Sequence, residues 1–333
     1  MKKLLLLPLL LLAACGGGPS FGEKDALTIY SGRQERLVGP LLERFERESG
    51  VAIEVRYGDS AELAATLAEE GDGTPADVVL LQDAGALGAV EEEGLLAPLP
   101  QPVLDRVDER FRSPEGRWVG VTGRARVVAY STERVREDEL PSTIFDFTKP
   151  EWKGRIGFPP PNASFQAFVS AMRLSVGDAR TRAWLEGIKR NEPTLLENNI
   201  QTEEAIAAGE IDVGFVNHYY LGELKAERPG FPVANHYLRE GDPGSLVNVS
   251  GIGLVAGSDK AAEGGRLAAF LLSDAAQRDF RDRLFEYPLV EGAGTPEGAR
   301  PLGELQGPDI DLRALGGKLE STLQLLAEVG FTT

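Results

Sequence analysis

The 333-residue chain is long enough for two lobes of ordinary domain size. Its formal net charge of −17 argues against nucleic acid or an anionic membrane surface as a partner, since both would repel it. A single cysteine and only two histidines exclude a disulfide framework and a His-rich zinc or copper centre.

In chain order, Lys2 and Lys3 open a short basic region, an apolar run from Leu4 to Ala14 follows, and Cys15 ends it. The run is too short to span a bilayer and has the layout of a secretory signal. Leu12-Ala13-Ala14-Cys15 resembles the bacterial lipobox, so residues 1–14 are expected to be a lipoprotein signal and 15–25 a lipid tether. Lipidation of Cys15 would leave no thiol for a disulfide or a metal, and loss of Lys2 and Lys3 would bring the charge to −19. The expected place of the mature chain is extracytoplasmic and membrane-tethered.

Leu27-Thr28-Ile29-Tyr30 reads as a buried strand, followed by a helix with Leu37, Leu41 and Phe45 on one face and Gly50 as its stop. VAIEVRY is the next strand, AELAATLAEEG a helix with Ser60 as N-cap, and DVVLL a third strand. This β-α-β-α-β order predicts a parallel sheet with right-handed crossovers. RWVGVTGRARVVAYS and LVNVSGIGLVAGS are long β-rich runs with interior glycines, which suits a hinge between lobes or, equally, two plain central strands. RIGF, IDVGFVN and the helices FQAFVSAMRLSVG, TEEAIAAGE (Thr202 as N-cap) and YYLGELKAER repeat the alternation. An amphipathic helix near Leu319–Leu326 ends the chain.

Ligands of open α/β sheets sit beyond the carboxyl ends of strands. Tyr219 and Tyr220 fall at such an end, as do Gln34, Tyr57 and Gln82. Two adjacent phenols on a strand would point to opposite faces, one into the core and one to solvent. The residues alone leave that plain reading open beside a cleft-facing pair.

TKPEWKGRIGFP, VTGRARVVAYSTERV and SGIGLVAGSDKAAEGGRLAAFLLSDAAQ resemble the extracellular solute-binding proteins of ABC transporters. IYSGRQE, EEGDGTPADVVLLQDAGALGAVEEEGLLAPL and NNIQTEEAIAAGEIDVGFVNHYYLGEL are similar to the ferric-ion-binding branch of that superfamily. The resemblance runs from about Leu27 to about Leu289.

It implies an α/β, two-lobed periplasmic-binding-protein fold of class II. Each lobe is a mixed, mostly parallel sheet flanked by helices, with a hinge of crossing strands. Residues 26–121 with 252–298 are expected as lobe 1, and 122–251 with 299–333 as lobe 2. The resemblance makes Tyr219 and Tyr220 phenolate ligands of Fe(III), with carbonate or bicarbonate as a synergistic anion on Asn162, Ala163 and Ser164. Asn199 is expected alongside the anion, and Arg124 either adds charge to that seat or forms a hinge salt bridge.

Fe(III) is a hard cation that favours oxygen donors, and a bound cation stabilises a phenolate otherwise protonated at neutral pH. Three departures stand out. Relatives place histidine where this chain has Gln34 and Glu35, glutamate where it has Gln82 and Asp83, and a third tyrosine where it has Ser164. Tyr57 is a candidate replacement ligand or a wall residue.

The implied partners are an ABC permease with its ATPase, and the implied state is a monomer. An organic or oxyanion ligand would also suit aromatic rings and amide walls. A hydrolase using Glu35 and Asp83 has less behind it, because GxSxG, HExxH and P-loop signatures are all missing from the sequence.

Overall fold

The computed structural model describes residues 25–332; Cys15, the signal and nearly all of the expected tether lie outside them. The first half of the chain runs β1 (Leu27–Ser31), α1 (Glu35–Ser49), β2 (Ile53–Tyr57), α2 (Ser60–Glu70), β3 (Val78–Leu81) and α3 (Ala84–Glu92). Short β4 (Leu96–Ala97) and α4 (Gln101–Leu104) lead to the long strand β5 (Trp118–Ser131). Then come β6 (Ile156–Phe158), α5 (Ala163–Val176), α6 (Asp178–Arg190), β7 (Thr194–Leu195), α7 (Asn199–Ala208), β8 (Val213–Asn217), α8 (Tyr219–Glu227) and β9 (Val233–His236). The chain closes with β10 (Val247–Val255), α9 (Ala261–Leu271), α10 (Asp274–Arg283), β11 (Tyr287–Pro288) and α11 (Ala314–Val329).

β1 pairs in parallel with β2 and β3, as the alternation predicts. β10 runs antiparallel between β3 and β5 and completes the first sheet. Every residue of β1 and β3 is buried, because helices cover both faces. α1 lays Leu37, Leu41, Leu42 and Phe45 on this sheet and stops at Gly50, whose left-handed φ of 68° needs no side chain.

β5 belongs to both sheets. Its first half pairs with β10, and from Arg126 onward it pairs with β8 and β9 of the second sheet. There Val127 and Ala129 face one hydrophobic cluster while Val128 and Tyr130 face another, the period-two alternation of a strand covered on both sides. The crossing therefore falls near Ala125 and Arg126, later than the expected boundary at 121–122. β10 lies entirely in the first sheet, so the chain returns before Val247 and not at Gly251.

Two caps differ from expectation. Asp59, not Ser60, caps α2, its carboxylate accepting from the Ala61 and Glu62 N–H groups. Asn198, not Thr202, caps α7; Thr202 is buried one turn inside and donates to the Asn198 carbonyl. In both places a capping residue at least as good precedes the chosen one and starts the helix earlier.

α11 spans the two lobes. Leu325, Leu326, Val329 and Phe331 join the second lobe's core, while Gly316 sits against Gly85 of α3 in the first. A Cβ on Gly85 would stand 2.5 Å from the Gly316 backbone nitrogen. Gly85→Ala is expected to lower unfolding stability by roughly 1–3 kcal/mol, because backbone cannot move aside as a flexible side chain would. A urea titration of both proteins measures it.

Candidate functional site

β8 ends at Asn217, and α8 begins at Tyr219, so the two tyrosines occupy the first turn of a helix. Successive helical residues are rotated by about 100°, not by the 180° of a strand, so neighbours share one side of the helix start. Their ring centroids are 4.1 Å apart with planes inclined by 30°. Tyr219 is buried and Tyr220 partly so. Burial pushes the Tyr219 hydroxyl well above its usual range, and the neighbouring Tyr220 adds to that while Arg124 opposes it. Burial also raises Tyr220, against the hydrogen-bonding influence of Tyr219 and the charge of Arg124. Both phenols are therefore neutral at ordinary pH without a cation between them.

Beneath the pair lies a buried ionic floor that the sequence reading did not single out. Arg33 Nη2 donates to both Glu286 oxygens, at 2.8 and 3.0 Å, with both side chains almost wholly buried. Thr122 Oγ1 donates to Glu286 at 2.6 Å and shares a hydrogen bond with Ser250. Burial works against the Glu286 charge, but Arg33 and Arg124 outweigh it and hold the carboxyl below its usual range. The signal in the sequence was a lone charge inside the apolar run LFEYPLV, matched by an arginine after the first strand.

Arg126 is the arginine beside the expected anion loop. Its Nη1 donates to Ser164 Oγ and to Asn217 Oδ1, each at 3.2 Å, and its Nη2 to the Phe215 carbonyl at 2.8 Å. Burial pulls its pKa down to about 9, against the pull of Tyr220 and Tyr219. Among the described residues it forms no salt bridge. Arg124, expected at the anion seat or in a hinge salt bridge, donates to the Gln82 carbonyl and sits among Arg33, Glu286, Tyr219 and Asp83. Its Nε and the Nη1 of Arg33 have no partner.

Asn162 caps α5, its Oδ1 accepting from the Ser164 N–H at 3.0 Å and from Ser164 Oγ at 2.6 Å. Ala163 is exposed at that helix start. Asn199 is fully buried; its Oδ1 accepts from the Asn217 N–H at 3.3 Å and its Nδ2 is unpartnered. It thus fixes the strand end carrying the tyrosines. Gln34 and Glu35 are exposed at the start of α1, and Gln34 accepts from Arg36. Gln82 donates its N–H to Ser60, and Asp83 caps α3.

A cavity of about 700 Å³ has Gln34, Gln82 and Asp83 on one wall and Ala163 and Gln166 on the other, bringing these positions from both lobes together. Tyr57 is not brought in. A Cβ on Gly39 of α1 would lie 3.7 Å from its hydroxyl, and its raised pKa comes from burial with Glu35 and Glu43 as its charged neighbours. That placement leaves Tyr57, the last residue of β2, exposed beside α1. Among the described residues, no group of three or more His, Cys, Asp and Glu is placed to hold a metal ion.

Residues 73–302 match the family model described as bacterial extracellular solute-binding protein. The chain belongs to that family. Over 317 residues it is 31% identical to the Fe(3+)-binding periplasmic protein of Serratia marcescens, covering 94% of this chain and 93% of that one. The solved structure of iron-bound HitA from Pseudomonas aeruginosa superposes with a TM-score of 0.84 at 31% identity, covering 92% of this chain and 99% of the other. A Trichodesmium protein in complex with iron and citrate superposes at 0.80 with 29% identity, covering 92% and 100%. The family is one of solute-binding proteins and not of enzymes, so the hydrolase reading of Glu35 and Asp83 falls away.

Removing one partner of a buried ion pair strands the other charge. Glu286→Ala is expected to cost roughly 3–5 kcal/mol in chemical denaturation, and Arg33→Met with Glu286→Leu to recover most of it.

Proposed function

We propose that this chain captures Fe(III) between its lobes through Tyr219 and Tyr220, with a carbonate-like anion on Asn162, Ala163 and Ser164, and delivers it to an ABC permease and its ATPase. In this reading Cys15 carries the lipid that keeps the protein at the membrane. The observation that carries it is the phenol pair, stacked at a helix start and facing buried guanidiniums. The relatives named for ferric binding support the metal.

The charges explain why metal and anion would bind together. Arg33 is neutralised by Glu286, but among the described residues Arg124 and Arg126 have no salt-bridge partner. A trivalent cation alone would be repelled by them. An anion alone would satisfy the guanidiniums but leave both phenols protonated. Together the cation ionises the phenols and the anion bridges cation and guanidinium. Arg126 stands where it can serve the anion, since its Nη1 already reaches the hydroxyl of Ser164. The start of α5 adds backbone N–H groups and the positive end of a helix dipole.

Ionising two phenols on binding releases about two protons per ion, so affinity falls as pH falls. Ferric salt added with bicarbonate is expected to give a red-orange phenolate-to-iron charge-transfer band. Tyr219→Phe should abolish or strongly weaken it, and acidification from neutral pH should bleach the wild type. A wild-type protein that stays colourless and binds no ferric ion sinks the reading.

A further inference from the structure

α8 carries one more acidic group beside the two tyrosines. Leu221 and Leu224 enter a core cluster of the second lobe, and Gly222 lies against the Phe285 ring. That leaves Tyr219, Tyr220, Glu223 and Glu227 on the other sides of the helix. Glu223 follows Tyr219 by four positions and Tyr220 by three. Those are the two spacings that make helical side chains neighbours, with Cβ atoms about 5–6 Å apart. Side chains on a helix lean toward its N-terminus, here toward the tyrosines.

The charges around Glu223 place it in the same polar cluster. Its charge acts on Tyr220, and it responds in turn to Arg36, Glu286, Glu227 and Arg33. Arg33 responds to both tyrosines. Glu223 is partly buried, yet among the described residues it makes no hydrogen bond and no ion pair. Arg36 of the first lobe is the opposite charge that acts on it most, but Arg36 donates to Gln34 and forms no ion pair with Glu223. A half-buried carboxylate held beside two phenols without a direct partner is costly by itself, and a cation answers it.

Charge balance points the same way. Fe(III) bound to two phenolates keeps one positive charge, and it would keep it beside Arg124 and Arg126. One more anionic oxygen removes that charge, and oxygen is the donor a hard cation favours. The sequence pattern has lost such donors on the first lobe, where Gln34 and Gln82 stand, and Tyr57 is exposed beside α1. A carboxylate on α8 supplies the charge from the second lobe, on the helix that already holds the phenols.

We propose that Glu223 is a third protein ligand of the ferric ion, its carboxylate doing what the neutral amide of Gln82 cannot. The inference rests on the ferric reading above and adds a ligand to it.

The full mature protein is compared with Glu223→Gln, Glu227→Gln and Arg36→Gln. Each is titrated with ferric salt and bicarbonate, and the readouts are iron affinity, the position of the charge-transfer band and the apo melting temperature. Glu223→Gln is expected to weaken iron binding about tenfold or more and to move the band, because a carboxylate leaves the coordination shell. Its apo melting temperature should not fall, since no contact is lost. Glu227→Gln and Arg36→Gln should stay within about twofold of wild type with the band unmoved. The proposal is overturned if Glu223→Gln keeps the wild-type affinity and band. It is equally overturned if Glu227→Gln weakens iron as much, which would make the effect one of bulk charge, or if Arg36→Gln does, which would make it an attraction across the cleft. A lowered apo melting temperature with an unmoved band would mark a structural role and overturn it too. A wild-type protein that binds no iron would overturn the ferric reading itself.

Discussion

A single strand ties the lobes to the site. Thr122, Arg124 and Arg126 occupy alternate positions of β5 and so share one face of it. Thr122 holds Glu286, and Arg124 reaches the Gln82 carbonyl at the end of β3, both in the first lobe. Arg126, two residues on, reaches Ser164 and Asn217 in the second. The strand changes sheets between these arginines. One backbone thus sets the spacing between the floor beneath the tyrosines and the loop expected to seat an anion. A change in how the two sheets are inclined alters the distance between Gln82 and Ser164 directly.

That arrangement carries an electrostatic cost. Burying a guanidinium without a carboxylate partner is unfavourable, and hydrogen bonds to carbonyls and hydroxyls offset it only in part. The lowered pKa of Arg126 reflects the same penalty. The fold tolerates it because the groups are pinned by Phe215, Asn217 and Gln82, which belong to strand ends held from both sides. On the proposed reading, stability given up at these arginines would reappear as attraction for an anionic group, and the phenols would convert that attraction into selectivity for a pair of opposite charges. Neither half of the pair would be welcome alone, a dependence that follows from charge and burial before any coordination geometry is specified.

Local pattern made the strands and helices legible, and hence the placing of Gln34, Gln82 and the tyrosines at strand ends. It could not show that the tyrosines start a helix; read as a continuing strand, they would have pointed apart. Ser60 and Thr202 were plausible caps by type, but Asp59 and Asn198 come before them and win the orphan N–H groups. The partnership of Arg33 and Glu286 was out of reach, since 253 positions separate them and only the return of the chain through β10 and β11 makes them neighbours. Tyr57 shows the same limit at short range. Its strand end was right, but the hydroxyl's direction depends on α1 packing beside it. That Arg126 and not Arg124 touches Ser164 likewise depends on where β5 changes sheets, which alternation alone does not mark.

The terminal helix constrains how the lobes can part. α11 is rooted in the second lobe by Leu326, Val329 and Phe331, and the Lys189 ammonium also reaches the Val329 carbonyl. Its other end is fixed to the first lobe twice over: Gly85 and Gly316 meet backbone to backbone, and Arg313, just before α11, packs on Gly88 and pairs with Glu115 at 2.7 Å. Parting the lobes at this end would therefore break an ion pair as well as a backbone contact, although an exposed pair of this kind is worth only about 0–1 kcal/mol. The lobes are thus tied at two places, the crossing in β5 and this end of α11, with residues of α3, α5 and α11 lining the cavity. Motion about that line would widen the side of the cleft holding Gln34 and Ala163 while holding the helix end in place.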